Sequence, residues 1–380
     1  MRWLAFGTYD VHRHPRVGVL IEGLRAAGDE VVEVNVPLEL DTAGRVAMLR
    51  QPWRLPKLAW LLARCWTLLV LRSRPRRVGP VDAVLVGYLG HFDVRLARRL
   101  FRRTPIVLDH LVSAAGTARD RALTSAAGGG GLKGRLMRWI DRGALRSADV
   151  VVVDTDEHLA ALPAAAAPRG VVAPVGAGAA WFAAAAGRRA PGGPLKVVFV
   201  GLFTPLHGTE FLGAALGRLA GDERIEVTMV GKGQDYAACH AAAAGNPRVT
   251  WRDWVTADEL PALVAAHDVS LGIFGTTEKA RNVVPTKVFQ GAAAGCAIVT
   301  SDTAPQRRAL GDDALFVPPG DAAALADTLR ALASDPALLV SYQRKAAARA
   351  AERFAAATVV APIRAKVGQP SHPPAMQETR

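Results

Sequence analysis

Short runs of Val, Ile and Leu recur along this sequence, each followed by a stretch with helical spacing, and the alternation occurs in two separate series. The first series holds Trp3 to Phe6, Glu30 to Val36, Ala83 to Val86, Ile106 to Leu108 and Val150 to Val153. The second holds Val197 to Val200, Glu226 to Val230, Val249 to Trp251, Val269 to Ile273 and Ile298 to Thr300. Runs without polar alternation predict parallel strands covered by helices on both faces. The expected fold class is therefore α/β, with two Rossmann-like doubly wound domains facing a central cleft. Pro163 to Pro194 breaks the rhythm with Ala, Gly and Pro and few charges. The expected division is an N-terminal domain over 1–175, a linker over 176–194, a C-terminal domain over 195–355 and a closing segment over 356–380 with a disordered tail. Ala322 to Phe354 reads as two helices broken at Asp335-Pro336.

Composition narrows the classes. With 50% hydrophobic and 21% charged residues, global disorder is excluded. Three scattered cysteines, Cys65, Cys239 and Cys296, exclude a disulfide scaffold and a cysteine-rich zinc site. They fit a reducing compartment, so a cytoplasmic protein is expected. Trp3 to Phe6 is too short for the apolar core of a signal peptide, and no run of 18 apolar residues predicts a spanning helix.

The net charge of +13 is unevenly placed. Arg50 to Arg77 contains eight Lys or Arg and no acid. Within it, Lys57 to Arg77 interleaves Trp60, Trp66 and leucines with arginine, and Leu61, Leu68 and Leu71 share a rough helical face. Such a helix is expected to contact an anionic membrane through residues 50–77, at the inner leaflet. The alternative is a helix packed on the first domain with a basic outer face. No nucleic-acid module accompanies the patch, and no nucleic-acid partner is expected.

Three stretches carry chemistry. Phe199 to Gly208 (FVGLFTPLHG) is a strand end, a tight turn and a glycine opening a helix. Free N–H groups there suit an anion, and the alternative is an ordinary βα turn. Val230 to Gln234 (VGKGQ) is a second strand-end turn, with Gly231 and Lys232. Glu278 to Gly295 (EKARNVVPTKVFQGAAAG) runs a polar loop into a proline-started helix carrying Lys287 and Gln290, followed by Ile298 to Ser301.

In order and spacing these stretches resemble the C-terminal half of the retaining nucleotide-sugar glycosyltransferases of the two-Rossmann (GT-B) architecture, most like glycosyltransferase family 4. The resemblance covers Lys196 to Phe354 well. In the N-terminal half it rests on Gly7-Thr8-Tyr9-Asp10, Tyr88 to Asp93, and Asp109 to Ser113 with Asp120-Arg121.

The resemblance implies transfer of a sugar from a nucleotide-diphosphate donor to a glycan, lipid-linked or small-molecule acceptor, with retention and without metal or other cofactor. It places the donor at Gly201, His207, Gly208, Gly231, Lys232, Arg281, Asn282, Val283, Val284, Lys287 and Gln290. It places the acceptor near Gly7, Thr8, Tyr9 and Asp10, with His91, His110 and Asp109 as catalytic candidates. Asp154-Thr155-Asp156, at a buried strand end, is not read as a metal pair. A bulky residue at Gly208 is expected to abolish nucleotide binding with the fold intact.

Departures from the family are specific. Leu202 and His207 stand where many members have Arg and Lys. Asn282 and Gln290 stand where members carry two glutamates eight positions apart. Lys279, Arg281 or Lys287 would replace the missing phosphate charge. The glutamate change keeps open a catalytically weakened homologue acting as a binding or scaffold subunit. A nucleotide-sugar epimerase is a third reading, and it would need cleft carboxylates that the second-half motifs lack apart from Glu278.

Overall fold

The computed structural model describes residues 1–11, 14–38, 55–88, 90–111, 132–188 and 192–369. The glycine run 128–131, Asp120-Arg121, residues 50–54 and the tail from 370 lie outside them.

Among the described residues there are two six-stranded, all-parallel sheets. The first has the order β2-β1-β3-β4-β5-β6, from β1 (Arg2–Gly7), β2 (Glu30–Asn35), β3 (Ala83–Val86), β4 (Ile106–Asp109), β5 (Val150–Val153) and β6 (Gly170–Val172). The second has the order β12-β11-β10-β7-β8-β9, from β7 (Leu195–Val200), β8 (Ile225–Val230), β9 (Val249–Arg252), β10 (Val269–Leu271), β11 (Ala297–Ser301) and β12 (Leu315–Val317). Every residue of β3, β4, β5 and β11 is buried, as continuous apolar runs require when helices cover both faces. The strand order reverses between β1 and β3 in one sheet and between β7 and β10 in the other. Crevices at such reversals, outside the carboxyl ends of the strands, are where ligands of open α/β sheets bind.

The helices follow from local signals. Helix α1 (Pro15–Ala26) starts on a proline at its first position and ends before Gly28, at φ +84°. On the other face of the first sheet lie α2 (Leu55–Arg72), α3 (Asp93–Leu100) and α4 (Leu132–Ser147). Leu69, Val94, Ala97, Ala144 and Leu145 join them to one core with Leu4, Phe6 and Val84. Trp66 points inward there, and its indole donates to Asp93 (2.9 Å), whereas Trp60 stands outside. In the second half, α5 (Thr209–Arg218) follows β7 and α6 (Thr286–Ala293) precedes β11. The two helices expected over 322–354 are Ala322–Ser334 and Pro336–Arg349, each N-capped by an aspartate side chain.

The chain crosses between the halves twice, side by side. At the first crossing the Ala177 amide donates to the Phe354 carbonyl (2.9 Å), next to Gly176 at φ +70°. At the second, the chain leaves Phe354 and enters α7 (Ala356–Gly368), which packs on α1. The approach is close: a Cβ on Gly23 would lie 2.1 Å from the Ala356 carbonyl oxygen. Arg364 of α7 also pairs with Asp29 (2.7 Å), which accepts from the N-terminal amine.

Candidate active site

The crevice of the second sheet is built on glycine. Gly208 caps α5 in the left-handed region, at φ +63°, and a Cβ there would meet the Gly275 nitrogen and the Phe274 carbonyl carbon at 2.4 Å. The turn after β7 therefore lies against the extension of β10. A bulky residue at Gly208 would displace backbone, so the expectation of an intact fold does not hold. Gly231, at φ +126°, brings the turn after β8 equally close, since its Cβ would be 2.0 Å from the Gly201 carbonyl oxygen. Lys232 turns away to the surface, 3.0 Å from Asp253 and 4.2 Å over the Tyr236 ring.

Lys287 brings charge to this crevice from α6. Its Nζ is buried, has no hydrogen-bond partner, and lies 3.7 Å from the centre of the Phe199 ring. A Cβ on Gly201 would stand 2.6 Å from it. Burial pushes its pKa well below that of a free lysine, because the charged form has lost water and gained no anion. His207 is beside it, its Nδ1 against the Leu202 carbonyl. Burial first, and the Lys287 amine second, hold that imidazole at about 3. A neutral ring donating from Nδ1 leaves Nε2 as an acceptor. The cation offered to an anion at Gly201 is therefore Lys287, not His207.

The remaining donor-side candidates spread along the cleft. Arg281 is exposed, the Asn282 carbonyl accepts from Thr155 of the first half (3.0 Å), Val283 is half-buried, and Val284 belongs to the core. Gln290 and Thr286, one turn apart, line a cavity of about 160 Å³ with Arg16, Glu22 and Trp181. Lys287 leaves the same helix toward Gly201, so it does not share the wall with Gln290.

The crevice of the first sheet is closed by its own side chains. The amide and hydroxyl of Thr8 both donate to Asp93 (2.8 and 2.7 Å), under Gly7 at φ +146°. Tyr9 is buried, donates to Glu33 (3.0 Å), and is pushed up by that burial. Asp10 is half-buried, and its carbonyl accepts from the His14 amide (2.9 Å). Asp109 receives Arg16 Nε at 2.8 Å, both side chains buried, while the same guanidinium donates to the Ala173 and Pro174 carbonyls. Asp109 is thus held by Arg16 rather than by its sequence neighbour His110.

His91 and His110 do come together, with ring centres 5.4 Å apart in an edge-to-face arrangement. Burial, and next His91, hold His110 at about 4, so it is neutral at pH 7. His110 Nδ1 and His91 Nε2 are buried without hydrogen-bond partners, and Asp141 lies 3.3 Å from the latter. Asp154 is paired with His158, and Asp156 with Arg308 across the cleft (3.0 Å).

Residues 194–335 match the family Glycosyl transferases group 1. By that domain the chain is a glycosyltransferase, and by its two facing sheets it has the GT-B fold. Sucrose-phosphate synthase from Thermosynechococcus elongatus superposes with a TM-score of 0.66 at 16% identity, over 96% of this chain and 97% of that one. HepE of Anabaena, in complex with UDP and glucose, gives 0.66 at 15% identity, over 97% and 99%. A UDP-forming trehalose-phosphate synthase from Burkholderia xenovorans gives 0.58 at 16%, over 80% and 76%. No curated protein matches the sequence.

Four residues of this glycosyltransferase's cleft escape sequence reasoning. Gly275 carries a local signal, the glycines of Gly272-Ile-Phe-Gly275 after a strand. Asp93 closes the Tyr88 to Asp93 stretch of the resemblance without a role of its own there, and Arg16 and Asp141 carry no local signal, because each meets its partner across the fold.

Proposed function

We propose that this glycosyltransferase takes a sugar from a nucleoside-diphosphate donor and passes it, with retention as in family 4, to an acceptor on the N-terminal half. The observation that carries the reading is the Lys287 amine, buried without a partner over Gly201 at the β7–β10 reversal. Leaving-group departure places negative charge on the diphosphate. A fixed ammonium and the N-terminus of α5 are suited to meet it. An arriving phosphate would restore the Lys287 proton, since an opposite charge offsets desolvation. In this reading the fixed charge does the work of a metal ion.

Gln290 would accept from a ribose hydroxyl through its amide oxygen, without the charge a glutamate adds. His91 and His110 would hydrogen-bond hydroxyls of the donor sugar or acceptor. The known complexes of HepE with UDP and with UDP-glucose fit such a donor. Peripheral contact of segment 50–77 with the inner face of an anionic membrane, near a lipid-linked or glycan acceptor, belongs to the same proposal. Among the described residues no helix is long and apolar enough to cross a membrane.

Asn282 and Gln290, in place of glutamates, favour a second reading, a binding subunit with weakened turnover. Calorimetry with UDP, GDP and ADP, followed by transfer and hydrolysis assays with their sugars, separates the two. Binding with turnover supports the enzyme, and binding without turnover supports the subunit. A folded protein that binds none of the three overturns both.

A further inference from the structure

The layer of α2, α3 and α4 has an outer surface unlike the rest of the molecule. Ten large apolar side chains stand exposed among the described residues, and seven of them lie on this layer. Trp60, Val70 and Leu71 are on α2, Phe92 and Leu100 at the two ends of α3, and Leu136 and Trp139 on α4. Trp60 is 62% exposed and Trp139 59%, although Leu69 anchors α2 and Ala144 and Leu145 anchor α4 to the core.

Charge concentrates on the same surface. Residues 55–103 and 132–149 hold sixteen Lys or Arg and four Asp, a net +12 out of the chain's +13. Asp93 and Asp141 are buried, and Asp149 is paired with Arg98, so little negative charge faces out. On α4 the exposed residues Arg135, Leu136, Trp139, Arg142 and Arg146 follow one helical stripe. On α2 the exposed stripe is Lys57, Trp60, Arg64, Thr67 and Leu71, with Arg74 exposed just past the helix end. Arginines on both helices flank a Trp, the pattern of an interfacial helix.

We propose that α2, α3 and α4 form one membrane-docking face, with the headgroup surface of an anionic bilayer as its occupant. This rests on the peripheral contact proposed for segment 50–77 and extends it from one helix to three. Charge complementarity selects anionic lipid, and exposed Trp, Leu and Phe between the cations suit insertion at the headgroup level. A second copy of this chain is a poor occupant, since it would set +12 against +12. Nucleic acid would use the arginines but not the seven apolar side chains. Phe92 follows the buried His91, so the docking face reaches the rim of the cleft. A lipid-borne acceptor would enter there.

The test is co-sedimentation of the full chain with vesicles of phosphatidylcholine alone and of phosphatidylcholine with one quarter phosphatidylglycerol, at low and high salt. A DNA duplex is titrated in parallel. Binding is expected only to the anionic vesicles, and to fall with salt. Two double variants separate the readings: Trp60→Ser with Leu71→Ser on α2, and Leu136→Ser with Trp139→Ser on α4. Each should cut vesicle binding tenfold or more and leave the thermal midpoint and UDP binding unchanged. Arg135→Glu with Arg142→Glu should cost at least roughly fivefold per cation. If only the α2 variant loses binding, the single-helix contact stands and the three-helix face fails. If wild-type protein ignores anionic vesicles, both fail. If DNA binds as tightly and the serine variants change nothing, the face is a polyanion site.

Discussion

The two crevices of this molecule start from the same architecture and end in opposite electrostatic states. Both lie where the strand order reverses, beside a glycine at the end of the sheet's first strand, Gly7 within β1 and Gly201 just after β7. In the N-terminal crevice the nearby charges are matched: Asp93 accepts from Thr8 and Trp66, and Asp109 is held by Arg16. In the C-terminal crevice the Lys287 amine is buried with nothing to donate to. A buried charge is stable when paired and costly when alone. The first crevice therefore reads as a prebuilt wall and the second as a place prepared for an anion. The difference lies in partners and not in fold.

The sharpest way to break the contrast is to unpair the first crevice. Asp109→Ala leaves the Arg16 charge buried without a counter-charge, held only by the Ala173 and Pro174 carbonyls, and should lower stability by about 3–5 kcal/mol in urea unfolding. Replacing both, Arg16→Met with Asp109→Leu, should recover most of it. A cost below about 1 kcal/mol for Asp109→Ala would mean the pair is not structural.

The next largest effect belongs to the second crevice. Lys287→Met should weaken nucleoside-diphosphate binding roughly ten- to a hundredfold, the worth of a charge-assisted contact. The thermal midpoint of the free protein should hold or rise, because an unpartnered buried amine is gone. Unchanged affinity with reduced stability would reverse the assignment. In the wild type, binding should be accompanied by proton uptake and should weaken as pH rises. Calorimetry in buffers of different ionisation heat reads both.

Acid should act next, on the histidines of both halves. His110 is held at about 4 and His207 at about 3, below the ordinary 6.5 of an unfolded chain. The unfolded state therefore binds protons first as pH falls. The stability these groups provide is full above pH 6.5 and is lost down to about pH 4 and below. For His110 alone the loss reaches about 2 kcal/mol by pH 5 and about 3 kcal/mol by pH 4, and His110→Gln should flatten the profile. The smallest change is Gln290→Glu, expected to tighten donor binding by about tenfold at most, or raise turnover comparably. A large loss of activity would show that the site requires the neutral amide.

The sequence showed the strands best where they are buried on both faces, because nothing polar interrupts them. It hid β6 and β12, three residues each at sheet edges, where too few positions exist to form a pattern. It also hid α7, whose Ala, Val and internal Pro362 resemble a loose tail until Gly23 is seen beneath it. The site was legible wherever a glycine and a cation fall near a strand end, as at Gly201, Gly208 and Lys287. The pairing of Arg16 with Asp109 was illegible, because the two are 93 residues apart and no local spacing marks such a pair, although Asp109 itself stood out at a strand end. Lys232 shows the converse: its place in a glycine turn suggested a ligand, and its neighbour across the sheet, Asp253, holds it at the surface.

The return of α7 to the first half bears on the order in which the chain is made. Synthesis delivers the first sheet early, and domains generally fold as they emerge. Here the face of α1 that carries Gly23 must wait for Ala356, Val359 and Val360, which are made only after the whole second sheet. The second half, complete by Phe354, can finish its cores before the first half has its last covering helix. The domain that is born first is thus the one completed last, and a nascent chain stalled before residue 356 would expose the α1 groove to whatever chaperone surveys it.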